Sequence, residues 1–378
     1  MISSQILVAP MVLAAATTDR VYLPNPSGRY HVSKTQHVFN HTTFNDPLSP
    51  TNTSTYFVLT ILYPTEQTPN DNVTLQYMSP KVAAAIENSN KYKLPAAALE
   101  RLWTHIQWQA PVLPSNPGLP TLLFSPGAGS PCIANTVIQT EMASRGYTVI
   151  CVDHPGEFAV LEIPYTNTTI HGVSLDYAWG IDMPFMFRVN DIRKSDFDAL
   201  LELFPKLVAD YRAPFNTSSY LHFGFSLGGS VGTYLLSEHD EILAGVDYDG
   251  SLFDTMANNT VDVKKPFLTL MHGLGDPSQP PFFSIQTGWH EELLVNGTDH
   301  LDFSDIGLWL DLLDLRDQVP DDFAIGTLSG MRMSQILTRF TTRFFDGVLD
   351  GELELEKNLP SVEWPEVTFV NGSTGKEC

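Results

Sequence analysis

Apolar runs of strand length alternate with stretches of helical period through most of the chain. Residues 56–63 (YFVLTILY) predict a buried strand, ended by Pro64. Residues 121–124, 147–152 (YTVICV), 220–225, 242–248 and 266–271 predict five more. Helical patterns fall over 133–145, 191–209, 231–237 and 331–349, and over 80–107 with a break around 88–93. Residues 21–56 are rich in Asn, Thr, Ser and Pro and predict loops. Residues 111–120 predict a Pro-rich connector, and 155–187 an irregular, aromatic-rich insertion. Strands alternating with helices imply an α/β fold, a mostly parallel sheet with helices on both faces. No linker interrupts the middle of the chain, so one domain is expected.

Composition narrows the setting. The 378 residues are 43% hydrophobic and 17% charged, with a formal net charge of −22. So acidic a chain is repelled by nucleic acid and by anionic bilayers, and a neutral or zwitterionic substrate suits it better, or the acidity serves solubility alone. Residues 6–16 are mostly apolar and end in Ala14-Ala15-Ala16, which predicts a signal peptide over 1–16 and a secreted protein. Against that pattern, Pro10 interrupts the run and no Lys or Arg precedes it. No later run approaches the roughly 18 apolar residues of a transmembrane helix, so no span is expected. Eight Asn-x-Ser/Thr sequons, at Asn40, Asn52, Asn72, Asn167, Asn216, Asn258, Asn296 and Asn371, point to a glycoprotein. Of three cysteines, Cys132 and Cys151 are candidates for pairing, with Cys378 left at the terminus; three free thiols is the other reading. No Cys/His spacing resembles a zinc site.

The chemistry concentrates at Gly224-Phe225-Ser226-Leu227-Gly228, a G-x-S-x-G elbow between a predicted strand and a predicted helix. Such a turn exposes the serine hydroxyl and excludes side chains on either side, which makes Ser226 the candidate nucleophile. A base must follow it. Of His239, His272, His290 and His300, the last lies in a loop before an apolar stretch, the usual setting of the base; His272 is the runner-up. His239 ends the elbow helix, and His290 is expected on a helix or loop. Three carboxylates compete as the acid. Asp249 follows the strand after the elbow helix, Asp276 follows the next strand, and Asp247 lies one step deeper on the same side as Asp249. The pattern alone leaves Asp249 and Asp276 level. Oxyanion donors are expected from the backbone N–H groups of Leu227 and, in the Gly-rich turn Gly127-Ala128-Gly129, of Ala128.

These motifs, in this order, resemble the platelet-activating factor acetylhydrolases of the plasma, or isoform II, type, within the α/β-hydrolase superfamily. The resemblance runs through Pro26-Ser27-Gly28-Arg29-Tyr30-His31-Val32, Leu62-Tyr63-Pro64, Phe124-Ser125-Pro126-Gly127-Ala128-Gly129, Arg188-Val189-Asn190-Asp191, the elbow, and Gly297-Thr298-Asp299-His300 with Phe303 and Asp305. It continues to Phe344-Phe345-Asp346 and Trp364-Pro365-Glu366-Val367 and so covers nearly the whole mature chain. The chain departs from that family at Phe225 and Pro126, where histidine is usual. The resemblance implies a catalytic α/β-hydrolase domain over 17–378 and, as acid, Asp249, since Tyr248-Asp249-Gly250 matches the family's setting. It implies a serine esterase that removes a short or oxidised acyl group from the second glycerol position of a phospholipid, without metal or organic cofactor. A broad carboxylesterase or polyester hydrolase, or a secreted module that keeps the fold without the chemistry, are the alternatives. Residues 178–187 (AWGIDMPFMF) are expected to line an acyl pocket, to touch a lipid surface transiently, or simply to be buried.

Overall fold

The computed structural model describes residues 19–70, 74–89, 92–113, 118–173, 183–253, 261–273 and 275–375. The predicted signal segment, Trp179, Cys378 and the sequons at Asn72 and Asn258 lie outside the described residues.

The predicted apolar runs become the centre of one twelve-stranded sheet. The strands are β1 (Val21–Tyr22), β2 (His31–Phe44), β3 (Thr53–Thr65), β4 (Thr74–Gln76), β5 (Leu102–Trp108), β6 (Thr121–Ser125), β7 (Val149–Asp153), a separate hairpin of β8 (Val160–Glu162) and β9 (Thr169–His171), then β10 (Tyr220–Phe225), β11 (Ile242–Tyr248), β12 (Phe267–His272), β13 (His290–Val295) and β14 (Val367–Ser373). Their spatial order is β1-β5-β2-β3-β7-β6-β10-β11-β12-β13-β14, with β4 on β5. From β7 to β13 all neighbours are parallel, while β2, β3 and β14 add antiparallel pairings at the flanks.

The helices are α1 (Pro80–Glu87), α2 (Thr136–Ser144), α3 (Met183–Tyr211), α4 (Leu227–Glu238), α5 (Gln279–Phe283), α6 (Ile306–Leu312) and α7 (Gly330–Asp350). They divide between the two faces. Met142 of α2, Trp309 of α6 and Phe344 of α7 pack with Phe124 and Phe223 of the sheet in one core. Phe197 and Phe204 of α3, Val231 of α4 and Phe282 of α5 pack with Leu123 and Ile150 in the other. Burial on both faces explains why the central strands read as continuous apolar runs rather than alternating ones. This is the α/β-hydrolase architecture.

Four expectations change. Residues 31–44 form the long strand β2, although its sequence, HVSKTQHVFNHTTF, is too polar to announce one. Residues 102–108 are β5 and not the end of a helix: the Ala-rich stretch before them masks the alternation of LWTHIQW. His290 opens β13, where Glu291 and Glu292 break the apolar pattern yet are buried. Within the insertion, β8 and β9 pair over three residues each, too few to show a period.

Candidate active site

The elbow is built from close approach. Ser226 sits between β10 and α4 at φ 55° and ψ −122°, a strained backbone for a residue with a side chain. A Cβ at Gly224 would stand 2.4 Å from the carbonyl carbon of Gly228, and one at Gly228 would stand 1.9 Å from the Ser125 carbonyl oxygen. Neither position admits a side chain, so strand, turn and helix can close around the serine only with glycine there.

His300 opens a short 3-10 turn, His300–Phe303, fixed by reciprocal caps. Asp299 Oδ1 accepts the His300 N–H at 2.6 Å, and Asp302 Oδ2 accepts the Asp299 N–H at 2.9 Å. The Ser226 hydroxyl lies 3.1 Å from His300 Nε2, and His300 Nδ1 donates to Asp249 Oδ2 at 2.6 Å. A carboxylate only accepts, so Nδ1 carries the proton and Nε2 is left to take one from the serine. The Phe225 ring lies 4.9 Å from the His300 ring, where the resembling family usually has histidine.

Asp249 follows β11 with φ 55°, and its side chain is 1% exposed. Burial alone would raise its carboxyl, but hydrogen bonds from His272 and His300, with the charge of both rings, outweigh that and hold it at about 2. Asp276 stands elsewhere in the network. It accepts from Ser251 Oγ at 2.6 Å and from the Ser278 N–H at 2.8 Å, closing its own turn, and makes no bond to His300. That is plain turn chemistry. Asp247 is buried under the elbow and held by Gln279 Nε2 at 3.1 Å; burial first, then the Asp249 charge, push its carboxyl well up.

Two roles escape the sequence, one of them that of the runner-up base. His272, at the end of β12, gives both its backbone N–H and its Nδ1 to Asp249 Oδ1, at 2.8 and 2.7 Å. Asp249 therefore bridges two histidines. Arg193 of α3 is buried with Glu157 and holds the Gly-rich turn from beneath. It donates to the carbonyls of Pro126 and Gly127, while Glu157 Oε1 accepts the Gly129 N–H at 3.2 Å. These bonds turn the carbonyls of the loop inward, and the N–H groups of Ala128 and Leu227 keep no hydrogen-bond partner among the described residues. No local motif signals either role, because elements far apart in sequence create both. His239 instead pairs with Asp198 at 2.8 Å, and His290 is buried against Phe283.

Ala128, Ser226 and His300 open on a pocket of about 50 Å³, walled by Tyr92, Phe158 and Trp309. Of the aromatic run, Phe185, Met186 and Phe187 pack with Phe253, Leu227 and Ala128 beside it. Cys132 and Cys151 are joined as a disulfide, with 5.9 Å between Cα atoms. Among the described residues no group of His, Cys, Asp or Glu is arranged to hold a metal ion, and no helix is long and apolar enough to cross a membrane.

No protein-family model matches the chain. A protein of Arthroderma benhamiae described as a probable 1-alkyl-2-acetylglycerophosphocholine esterase is 27% identical over 271 residues, covering 68% of this chain and 67% of its own. The solved ferulic acid esterase from Streptomyces cinnamoneus superposes with a TM-score of 0.75 at 24% identity, over 94% of this chain and 100% of that one. The chain thus has the α/β-hydrolase fold and is a sequence relative of a probable 1-alkyl-2-acetylglycerophosphocholine esterase, in keeping with the resemblance its motifs carry.

Proposed function

We propose that this protein is a secreted serine carboxylic ester hydrolase that removes a short acyl group from the second glycerol position of a 1-alkyl-2-acetylglycerophosphocholine-like lipid. One observation carries the reading: a Ser226–His300–Asp249 relay opens on a pocket of about 50 Å³ with two unused backbone donors beside it. Ser226 attacks the ester carbonyl while His300 takes its proton, and Asp249 orients and stabilises the imidazolium. The N–H groups of Ala128 and Leu227 receive the oxyanion, a contribution of about 3 kcal/mol per donor. His300 then protonates the leaving alcohol, and water releases the acid by the reverse sequence. The small pocket favours an acyl group of acetyl size over a long chain. The description of the Arthroderma benhamiae relative agrees with hydrolysis of a carboxylic ester. Secretion is supported by the apolar leader, by a disulfide of a kind rare in reducing compartments, and by exposed sequons at Asn40, Asn52, Asn167, Asn296 and Asn371.

The test is hydrolysis of phosphatidylcholines with second-position acyl groups from acetyl to palmitoyl, beside soluble nitrophenyl esters. Preference for the acetyl lipid, with loss of about 10⁶ in kcat in Ser226→Ala, is the expected result. Turnover of the soluble esters alone would move the protein to the general carboxylesterases.

A further inference from the structure

A second cavity, of about 210 Å³, lies beside the first and shares Pro131 with it. A single water needs only roughly 10–15 Å³. Its floor is one face of the sheet. In register, Lys34 pairs with Leu62 and Gln36 with Thr60, while Thr60 pairs with Cys151, two residues before Asp153, so their side chains share a side. Beneath a helical layer that face should be apolar. Here Lys34, Gln36, Thr60 and Asp153 make it polar. The Tyr77 ring lines this cavity and meets, edge to face at 5.6 Å, the Trp309 ring that walls the pocket of Ser226. The insertion roofs both, through Val160 to Glu162 here and Phe158 there.

The charges on the floor are incomplete. Among the described residues the Lys34 ammonium has no hydrogen-bond or ion-pair partner, Asp153 included. Asp153 Oδ1 accepts the Cys132 N–H at 2.8 Å, and its other oxygen has no partner among the described residues. Glu162 stands at the rim, bound to Lys81 at 3.1 Å. Burial lowers the Lys34 amine and raises the Asp153 carboxyl to about 6, each shift partly offset by the other's charge. A half-buried cation and a half-buried anion that line one cavity without touching are costly unless something between them completes both. The complement of such a pair is a zwitterion.

We propose that this cavity seats the phosphocholine part of the substrate, the phosphate on Lys34 and the quaternary ammonium toward Asp153 and Glu162, with the glycerol passing over Pro131 to Ser226. The proposal rests on the phospholipid reading of the substrate and adds a headgroup site to it.

Calorimetric titration of glycerophosphocholine into the Ser226→Ala protein tests it without turnover, with choline and inorganic phosphate as separate titrants. Saturable one-to-one binding is expected, about tenfold weaker or worse in Lys34→Met and in Asp153→Asn, and stronger than that of either fragment. Lys34→Met should keep or raise the thermal midpoint, since it removes an uncompensated charge. Val82→Phe, which narrows the cavity from α1 and leaves both charges in place, should weaken binding as well. No saturable binding, unchanged binding in Lys34→Met and Val82→Phe, or phosphate binding as well as glycerophosphocholine would overturn the proposal. If glycerophosphocholine binds as expected and the wild-type enzyme spares the acetyl lipid, the substrate reading fails and the headgroup site stands. If the lipid is hydrolysed and glycerophosphocholine does not bind, the site fails alone.

Discussion

Asp249 decides more of the site than its place in the motif indicates. It accepts from His300 on one oxygen and from His272 on the other, so replacing it disturbs two rings at once. Asp249→Asn should lower kcat by about 10⁴, since an amide presents the wrong partner to His300. Asp276→Asn should leave kcat nearly unchanged, because Asp276 closes its own turn; nitrophenyl acetate turnover of the two variants separates them. His272 carries a different signature. Its hydrogen bond to Asp249, less the burial that opposes it, raises its pKa above the ordinary value of about 6.5. The stability it contributes is therefore fully present below about pH 6.5 and lost as pH rises through the raised value. His272→Gln should lower the unfolding free energy by about 1 kcal/mol near pH 6, with the gap closing in alkali. A gap of the same size at every pH would show that the ring only fills space.

Among elements, those that sequence revealed are those whose environment is uniform. YLHFGF and ILAGVDY run between two helical layers, so nearly every position is apolar and the strand declares itself. β2 does not, because one of its faces floors a polar cavity, and β13 does not, because it buries two glutamates. The elbow was legible because one motif encodes strand end, turn and helix start together. The bonds of Arg193 and His272 were not, because each joins elements that only the folded sheet brings together. The disulfide is an element-scale tie of the same kind, fastening the segment before α2 to β7 across 19 residues. Replacing Cys132 and Cys151 with serine should lower the unfolding free energy by about 3 kcal/mol, measured by urea denaturation. Reduced wild-type protein should match the double variant.

At the scale of the molecule, buried acids set the pH response. Burial is the chief cause that raises Asp153 and Asp302 to about 6 and Asp305 and Glu291 to about 7. A carboxyl raised in the folded state binds more protons there than in the unfolded chain. Its contribution is therefore present at low pH and lost as pH climbs through the folded value. Asp249 runs the other way: its contribution holds above the unfolded value of about 4 and goes only as pH falls toward about 2. With a formal net charge of −22 adding self-repulsion, the thermal midpoint should be higher near pH 5 than near pH 8. Added salt should narrow that difference. Scanning calorimetry across this range checks it; a midpoint that climbs from pH 5 to pH 8 would mean that these four carboxyls do not govern stability.

The Arg193 anchorage bears on anyone who would transplant this pocket. A designer who grafts only the Gly-rich turn onto another scaffold carries over a loop whose carbonyls have lost their clamp. The transferable module is larger: residues 125–129, Glu157 from the insertion and the first turns of the long helix, moved together.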